Sequence, residues 1–543
     1  MDCDPQTGGS GAARPPPQGR VGFTARRNAS DATLLFLLWL PTAVGYAIAF
    51  ARPWNDDVAA IVHFPELWIE GRALYVDLFD VNPPLIFLLS APAAVVARLS
   101  GLHAMVAWTL LTGALAAAMA ACAWRIMRPR APFGSLAFWV FAGLVPFLLL
   151  GFPLEHFGQR EHVFLILTVP YLVLAARRAE AAVPPSGAVL VAAVAAAIGA
   201  AIKPYFLLMP AAIELYVLLR RGLRGWLSDP VPWLMAVVWL AYGAVIVLVF
   251  PAFLSEIVPF ALTVYSEVRE PPLYILLRPY THRFLGAATA IAVLAIAATI
   301  MRFGHLTRVM ALAAVVVAVA LPLIQAKQFA YHTLPAQTLL WLLVGAVAAE
   351  ELASDDGRAA RLIGAGLVLV AGVSALDIRQ SPWRQLRYAA SEAGRLSRAI
   401  EAHSPPGGRV VVMSSYLGDV FPPLSHAGRR AGMRFMSLFF LYPLYRDCDA
   451  TGRRVEVTAE VALWRDRLFE ALVRDLVAQP PDLIVERVQS RLIPDCGGTR
   501  FSYLDHYRSH PDVDALLAGY VLVEERGGFR YWRPTAALSV PRR

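Results

Sequence analysis

Long apolar runs, separated by short loops rich in arginine, dominate this sequence and limit what it can fold into. Several runs approach or reach the roughly 20 residues that a helix needs to cross a bilayer. Hydrophobic residues make up 57% of the 543 residues, charged residues only 16%, and the mean hydropathy is +0.53. Soluble globular proteins are less apolar. We therefore expect a polytopic membrane protein.

The basic clusters between the apolar runs predict about eleven transmembrane helices and their orientation. With the N-terminus in the cytoplasm, these clusters fall on the cytoplasmic side, as the positive-inside rule requires. The run 83–98 is short and opens with two prolines, so we interpret it as a re-entrant or juxtamembrane helix on the outer face. The alternative is a true short span, with one violation of the charge rule or with 187–219 merged into one helix. The predicted spans are 33–51, 104–124, 131–151, 163–176, 187–203, 204–219, 231–250, 284–301, 309–324, 333–349 and 361–378.

Both ends of the chain lack this apolar character. Residues 1–30 are rich in Gly, Pro and Arg, and we expect a disordered cytoplasmic tail there, followed by a transmembrane domain over 31–378. In residues 379–543, charged residues become frequent and strand-like segments alternate with helical ones, which predicts a soluble α/β domain. An odd number of spans places this domain in the periplasm, where Cys448 and Cys496 can form a disulfide. We expect strands at 409–415, 482–486, 520–525 and 529–533, and helices at 457–478 and 505–518.

Three polar stretches interrupt the apolar part of the chain, and all three fall on the outer face. They cover 52–64, 152–162 and 325–332. Because ionisable groups at membrane depth are costly unless paired or solvated, such stretches mark candidate sites. Asp56 and Asp57 directly follow the first span. Adjacent carboxylates in this position can supply a general base or ligate a divalent cation, and a solvated loop is the alternative.

The residues after this acid pair carry a resemblance to a known family. The stretch GRALYVDLFDVNPPL covers 71–85. The resemblance rests on a tandem acid after the first span, a short helix, the motif G-x-x-x-Y-x-D, and a P-P-L that enters an apolar run. This part of the chain resembles the polyprenyl-phosphate-sugar-dependent glycosyltransferases of the GT-C membrane fold. That group includes the aminoarabinose transferases, the protein O-mannosyltransferases and related lipopolysaccharide core sugar transferases.

The resemblance covers about residues 30–350 and implies a function for the chain. It implies an inverting transferase that moves a hexose or pentose from a polyprenyl phosphate carrier to a cell-envelope glycan, lipid or protein. The reaction would take place at the periplasmic face of a bacterial inner membrane. The expected partners are the lipid-linked donor, the acceptor and membrane lipids.

The resemblance also implies roles for particular residues. Asp56 or Asp57 is the implied catalytic base, and the second acid is Asp where relatives more often have Glu, which leaves open which of the two acts. Lys203, in AIKPY, matches a lysine that relatives place near the donor phosphate, and a snorkelling lysine is the alternative. Glu155 and His156, in the loop after the third span, are candidate ligands for a Mg²⁺ or Mn²⁺ ion, although no residue of that loop matches the family firmly.

The chemistry of a lipid-linked donor points to further candidates. Its leaving group is an anionic phosphate, so cations are needed as the glycosidic bond breaks. Arg160 and Lys327, with Lys203, are the outward-facing cations near the spans, and Tyr331 and His332 are candidates for holding sugar hydroxyls or phosphate. A structural hydrogen bond is the alternative for His332.

Other functions remain in competition at this point. A transporter or flippase of lipid-linked sugars would use broken helices and an intramembrane lysine, but the sequence shows no clear internal repeat. A non-catalytic envelope-assembly protein is the third hypothesis. ATP-driven transport is disfavoured because no Walker motif stands in a plausible context. Nucleic-acid binding is disfavoured because the arginines behind the net charge of +9 lie mostly in short loops between apolar runs.

Overall fold

The computed structural model describes residues 21–51, 55–129, 135–271, 303–327, 329–351 and 386–535, with side chains from residue 33 onward. A bundle of apolar helices is followed by a small domain built on one sheet, which confirms the predicted fold class. The predicted spans 284–301 and 361–378 and the domain boundary at 379 lie outside the described residues.

The helices of the membrane domain follow the apolar runs. α1 begins at Val21, so it extends into the end of the predicted N-terminal tail. The described residues contain three π-helical segments: Phe147–Gly151 follows the helix Leu136–Pro146, Phe253–Ile257 precedes the helix Val258–Thr263, and Val316–Ala320 joins His305–Val315 to Leu321–Gln325. The described helices are α1 (Val21–Ala49), α2 (Asp56–Ile69), α3 (Leu85–Ser100), α4 (Ala104–Met127), α5 (Leu136–Pro146), α6 (Arg160–Glu180), α7 (Gly187–Ala201), α8 (Leu208–Leu227), α9 (Pro230–Val249), α10 (Val258–Thr263), α11 (His305–Val315), α12 (Leu321–Gln325) and α13 (Leu334–Glu351).

Length and composition separate these helices into two groups. Within the described ranges, five helices are long and apolar enough to cross a membrane: Ala104–Met127, Arg160–Glu180, Pro230–Val249, His305–Gln325 and Tyr331–Glu350. Shorter apolar helices cover Thr33–Ala49, Leu85–Ser100, Ala137–Gly151, Gly187–Ala201 and Phe253–Thr263. α6 is buried over nearly its whole length, so the bundle packs around it.

Two features of this bundle, the end of α7 and the position of α3, bear on the alternatives left open by the sequence. The helix α7 ends at Ala201, Lys203 is extended, and Pro204 starts a short 3-10 turn, so 187–219 is not one helix. The apolar run 83–98 forms α3. Phe79, before α3, pairs through its backbone with the C-terminal domain, and the His103 ring, after α3, contacts the carbonyl of Ser425 at 2.9 Å. The segments on both sides of α3 thus contact the C-terminal domain, and the juxtamembrane placement of this helix stays a prediction.

The C-terminal domain is a five-stranded mixed sheet with flanking helices. The strand order is β2-β1-β3-β5-β4, in which β1 is parallel to β2 and β3, and β5 is antiparallel to β3 and β4. Pro511 begins a new helix and so divides the predicted helix 505–518 in two, because proline is favoured in the first turn of a helix, where its missing N–H is not needed. The elements are α14 (Glu392–His403), β1 (Arg409–Met413), α15 (Pro423–His426), β2 (Arg430–Ala431), α16 (Leu441–Tyr445), α17 (Ala459–Ala478), β3 (Leu483–Arg487), α18 (Tyr503–Arg508), α19 (Pro511–Leu517), β4 (Tyr520–Arg526) and β5 (Phe529–Pro534).

The four predicted strands are all present, whereas β2, α14, α15 and α16 were not predicted. The strand β2 has only two residues, which is too short for an alternating pattern to reveal. Cys448 and Cys496 form a disulfide, as the sequence allowed.

The C-terminal domain packs directly on α2. The Ala431 amide donates to His63 Nε2 at 3.2 Å, and His63 Nδ1 lies 3.1 Å from Glu66. At the end of α2, Arg430 forms an ion pair with Glu70 at 3.0 Å. The domain therefore holds the helix whose first turn carries the acid pair.

Candidate active site

The acid pair begins the helix α2. Asn55 caps this helix, and its Oδ1 accepts hydrogen bonds from the amides of Asp57 at 3.0 Å and Val58 at 3.3 Å. Asp56 and Asp57 fill the first turn, where the positive end of the helix dipole favours carboxylates. The local sequence N-D-D thus both starts the helix and fixes the two acids at its end.

Arg160, the first residue of α6, connects α2 to the segments that contain Asn82 and Tyr331. Its Nη2 lies 3.0 Å from Asp57 Oδ2, and its Nη1 donates to the side-chain oxygen of Asn82. The same Nη2 lies 3.4 Å from the Tyr331 hydroxyl. Only 6% of the Arg160 side chain is exposed, so its charge is balanced by Asp57 instead of by water.

Gln159 adds a second link between α2 and α6. Its Nε2 donates to Asn55 Oδ1 at 3.2 Å and to Asp57 Oδ2 at 3.1 Å. Asp57 therefore accepts from two buried side chains. This leaves it little freedom to act on a substrate.

Gly158 makes the turn that aims Gln159 and Arg160. Its φ is +78°, a conformation that glycine adopts without strain. Its carbonyl accepts from the Trp108 indole at 3.1 Å, and its amide donates to His162 Nδ1 at 2.9 Å. A Cβ at this position would overlap the Trp108 ring. His162 is thus a structural partner of the turn.

Asn82 belongs to the stretch 71–85 that carries the family resemblance. Asp80 Oδ1 accepts from the Asn82 amide at 2.8 Å and from its side chain at 2.6 Å. The Tyr75 hydroxyl donates to the Asn82 carbonyl at 2.6 Å. Because Asn82 is held on both sides, it presents its oxygen to Arg160.

A second buried cation lies on the other side of Tyr331. Lys203 forms an ion pair with Glu161 at 2.5 Å, and its Nζ is 5.5 Å from the centre of the Tyr331 ring. His332 Nε2 is 3.7 Å from the same Glu161 oxygen. Tyr331 therefore separates Arg160 from Lys203, and the two cations line one site.

Lys327 is directed away from this group. Its Nζ donates to the carbonyl of Tyr265 at 3.0 Å and lies over the Tyr265 ring. Burial, together with Arg269 and Lys203, lowers the pKa of Lys327 to about 7. Its backbone carbonyl is 3.3 Å from His332 Nδ1. Lys327 thus joins the outer loop at Tyr265 to the site and carries only part of a charge at neutral pH.

The two acids differ in their surroundings. Asp56 Oδ1 accepts from the Asp57 amide at 3.0 Å, and no ion pair to Asp56 is present among the described residues. Burial, reinforced by the neighbouring charge of Asp57, raises the pKa of Asp56 to about 7. A carboxylate with a pKa near the working pH suits a general base, whereas Asp57 serves to hold Arg160.

The predicted metal ligands Glu155 and His156 lie next to each other. Glu155 Oε1 lies 3.8 Å from His156 Nε2, and His156 Nδ1 lies 3.4 Å from the Asn55 side chain. In the described part of the chain, no three His, Cys, Asp or Glu side chains group closely enough to hold a metal ion. Mg²⁺ and Mn²⁺ prefer several oxygen ligands, and this pair supplies side-chain oxygen atoms only from Glu155. The divalent cation stays a prediction.

The structure thus brings together most of the residues predicted from the sequence. One site is surrounded by Asp56, Asp57, Arg160, Lys203 and Tyr331. His332 reaches this site through its contact with Glu161, and Lys327 lies at the edge of the site. Gln159 and Glu161 belong to the predicted polar stretch 152–162, which the sequence offered as a binding cluster for a metal or a phosphate without separate roles for these two residues. The sequence did not single out Asn82 or Tyr265 as site residues.

Comparisons with known proteins bear on the fold. No protein-family model matches the chain, and no curated protein matches it. Among solved structures, ArnT from Cupriavidus metallidurans in the apo state is similar with a TM-score of 0.50 and 12% identity, over 96% of this chain and 100% of that one. The same protein bound to undecaprenyl phosphate gives a TM-score of 0.48 and 13% identity over the same shares. The first of these comparisons shows that the chain has a membrane fold like that of ArnT.

Proposed function

We propose that the chain is a membrane glycosyltransferase that moves a sugar from a polyprenyl phosphate carrier to a cell-envelope acceptor at the periplasmic face. One observation carries this proposal. Asp56, a carboxylate that makes no ion pair within the described part of the chain, lies near Arg160, and Arg160 and Lys203 line the same buried site. A base next to cations is what direct transfer from a phosphate leaving group requires.

The proposed step is a displacement at the anomeric carbon of the donor sugar. Asp56 takes the proton of an acceptor hydroxyl as its oxygen bonds to that carbon. The bond between the carbon and the phosphate oxygen breaks, and the phosphate leaves with the electron pair. Attack from the face opposite the phosphate inverts the configuration. The proton remains on Asp56 until it is released to water.

The cations stabilise the charge that develops on the phosphate. Arg160 is fixed by Asp57 and Asn82, so it is aligned before the donor arrives. The Lys203 ammonium has three N–H donors, and Glu161 uses one of them, which leaves others for phosphate oxygens. Tyr331, between the two cations, is placed to contact the sugar or the phosphate.

The outward location is supported by features of the C-terminal domain. This domain contacts α2, and it contains the disulfide between Cys448 and Cys496. Disulfides persist in oxidising compartments such as the bacterial periplasm. At the other end of α6, Arg178 forms ion pairs with Glu214 and Asp229, in the region that the charge rule places toward the cytoplasm.

A flippase of lipid-linked sugars is the second candidate. The helix α7 ends just before Lys203, and Lys203 forms a buried ion pair with Glu161 at this break. One experiment separates the two functions. The purified protein is placed in proteoliposomes with a radiolabelled polyprenyl-phosphate sugar and a cell-envelope extract. We expect label to move from the lipid carrier to an acceptor, with loss in Arg160→Gln but not in Arg526→Gln, a variant of an exposed arginine in the C-terminal domain. Movement of intact donor between leaflets without its consumption would contradict the proposal.

A further inference from the structure

The segment that follows β2 in the C-terminal domain contacts the membrane domain at the turn 73–79, just before Asn82. The Phe79 amide donates to the Arg434 carbonyl at 2.8 Å, and Arg434 Nη1 donates to the Val76 carbonyl at 3.2 Å. Arg434 therefore binds this turn through both its backbone and its side chain. The mechanism proposed above assigns no role to Arg434.

Arg434 is itself fixed within the C-terminal domain by Asp475 on α17. Its Nη2 donates to Asp475 Oδ1 at 2.7 Å, and its Nε donates to Asp475 Oδ2 at 3.0 Å. Its backbone amide donates to the same Oδ2 at 2.8 Å. The two side chains are only 20% and 13% exposed, so the pair is largely shielded from water. Pairing through two N–H groups fixes the plane of a guanidinium, and here it leaves Nη1 directed at the turn.

The turn 73–79 contains a residue in a strained backbone conformation. Tyr75 has a φ of +69°, in the left-handed region that residues other than glycine rarely adopt. Such a conformation persists only where the surrounding contacts fix it. Inside the turn, the Tyr75 amide donates to the Leu78 carbonyl at 2.7 Å, and the buried Tyr75 ring lies 5.1 Å from that of Phe253. Arg434 adds a contact that holds the turn from the C-terminal domain.

The same turn is connected to a cation of the candidate active site. The Tyr75 hydroxyl donates to the Asn82 carbonyl at 2.6 Å, and the Asn82 side-chain oxygen accepts from Arg160. Arg160 is the cation that the proposed mechanism aligns with the donor phosphate. A change at Arg434 can therefore reach Arg160 through Tyr75 and Asn82.

We propose that Arg434 is a positioning residue for the transfer reaction. By holding the turn 73–79, it keeps Asn82 in the place from which the Asn82 oxygen orients the Arg160 guanidinium. The inference rests on the proposed function, because that function assigns Arg160 to the donor phosphate. Since Arg434 belongs to the C-terminal domain, this domain contributes to the geometry of the donor site.

A double-mutant cycle between Arg434 and Asn82 tests this inference. The equilibrium Kd of radiolabelled undecaprenyl phosphate is measured with the full-length protein in detergent. Asn82→Ala is expected to weaken binding about ten-fold, the effect of one lost hydrogen bond to a charged group. Arg434→Met is expected to weaken binding about five-fold, since it loosens that bond without removing it. Because Arg434 acts through Asn82, the double variant is expected to bind like Asn82→Ala.

The matched control is Arg467→Met, which removes another arginine of α17 that pairs with the membrane domain, at Glu256. Its Kd is expected to equal that of the wild type, because the described contacts of Arg467 do not include the turn 73–79. An unchanged Kd in Arg434→Met would overturn the inference. A double variant that multiplies the two single effects would also overturn it, because the two residues would then act independently. An equal loss in Arg467→Met would do the same, since any weakening of the contact between the domains would suffice.

Hydrogen exchange distinguishes a failure of this inference from a failure of the proposed function. Without carrier, the amides of residues 75–82 are expected to exchange faster in Arg434→Met than in the wild type, while β1 and β3 keep their protection. Unchanged exchange at 75–82 would overturn the inference even if the carrier binds. A wild type that does not bind the carrier would overturn the proposed function, and faster exchange at 75–82 would still support the hold of Arg434 on the turn. If Arg434→Met loses protection in β1 and β3, Asp475→Asn replaces it, with smaller effects expected in the same direction because the guanidinium is freed but kept.

Discussion

Replacing Arg160 by Gln is expected to destabilise the fold, because the change leaves a partly buried carboxylate without its cation. The Arg160 and Asp57 side chains are 6% and 20% exposed, and their charged atoms lie 3.0 Å apart. Breaking a buried ion pair by removing one partner costs roughly 3–5 kcal/mol. Since Asp57 keeps a fifth of its side chain exposed and still accepts from Gln159, we expect the lower end, about 3 kcal/mol.

The double variant Arg160→Gln with Asp57→Asn provides the decisive comparison. It removes both charges, and neutral replacements of a buried pair are often close to neutral in stability. We therefore expect it to recover about 2 kcal/mol relative to the additive sum of the two single changes. Unfolding by a detergent titration in mixed micelles gives the four free energies, with Arg526→Gln as the control. Additive single changes, or a loss below about 1 kcal/mol in Arg160→Gln, would refute the reasoning, because exposed pairs behave in that way.

Three further predictions concern the site. Transfer activity is expected to rise as pH increases through about 7, because Asp56 must lose its proton to act as base. In Asp57→Asn this rise is expected at lower pH, because the neighbouring negative charge that raises the pKa of Asp56 is gone. An unshifted pH–rate profile in Asp57→Asn would contradict this. Gly158→Ala is expected to lower both stability and activity, since a Cβ would meet the Trp108 ring and a positive φ is strained for alanine; normal melting and normal turnover together would rule this out. Lys203→Gln is expected to lower transfer at least ten-fold by weakening charge stabilisation at the phosphate, and unchanged kcat and KM would remove Lys203 from the mechanism.

Much of the site was predictable because short polar stretches in an apolar chain have few physical explanations. Asp56, Arg160 and Lys203 were selected as outward-facing ionisable groups near apolar runs, and the structure places them around one site. The length of the apolar runs likewise predicted most of the longer helices in the described part of the membrane domain. Four of the five described strands of the C-terminal domain were predicted from segments bounded by Gly and Pro.

The pairing of these groups could not be predicted in the same way. That Glu161 binds Lys203 and that Asp57 binds Arg160 depends on packing between helices distant in sequence. The difference between Asp56 and Asp57 has the same origin, since adjacent acids look equivalent until their partners are known. Asn82 was missed as a site residue because an amide next to two prolines indicates only a turn.

Single-turnover transfer with saturating radiolabelled donor tests the assignment of the base, comparing Asp56→Asn with Asp57→Asn at equal amounts of folded protein. We predict that Asp56→Asn binds the donor normally but transfers at least 100-fold more slowly, because the base is lost. Asp57→Asn is predicted to retain more transfer and to bind the donor less well, because Arg160 loses its anchor. Full activity in Asp56→Asn, or a greater loss in Asp57→Asn, would contradict the assignment of Asp56 as the base.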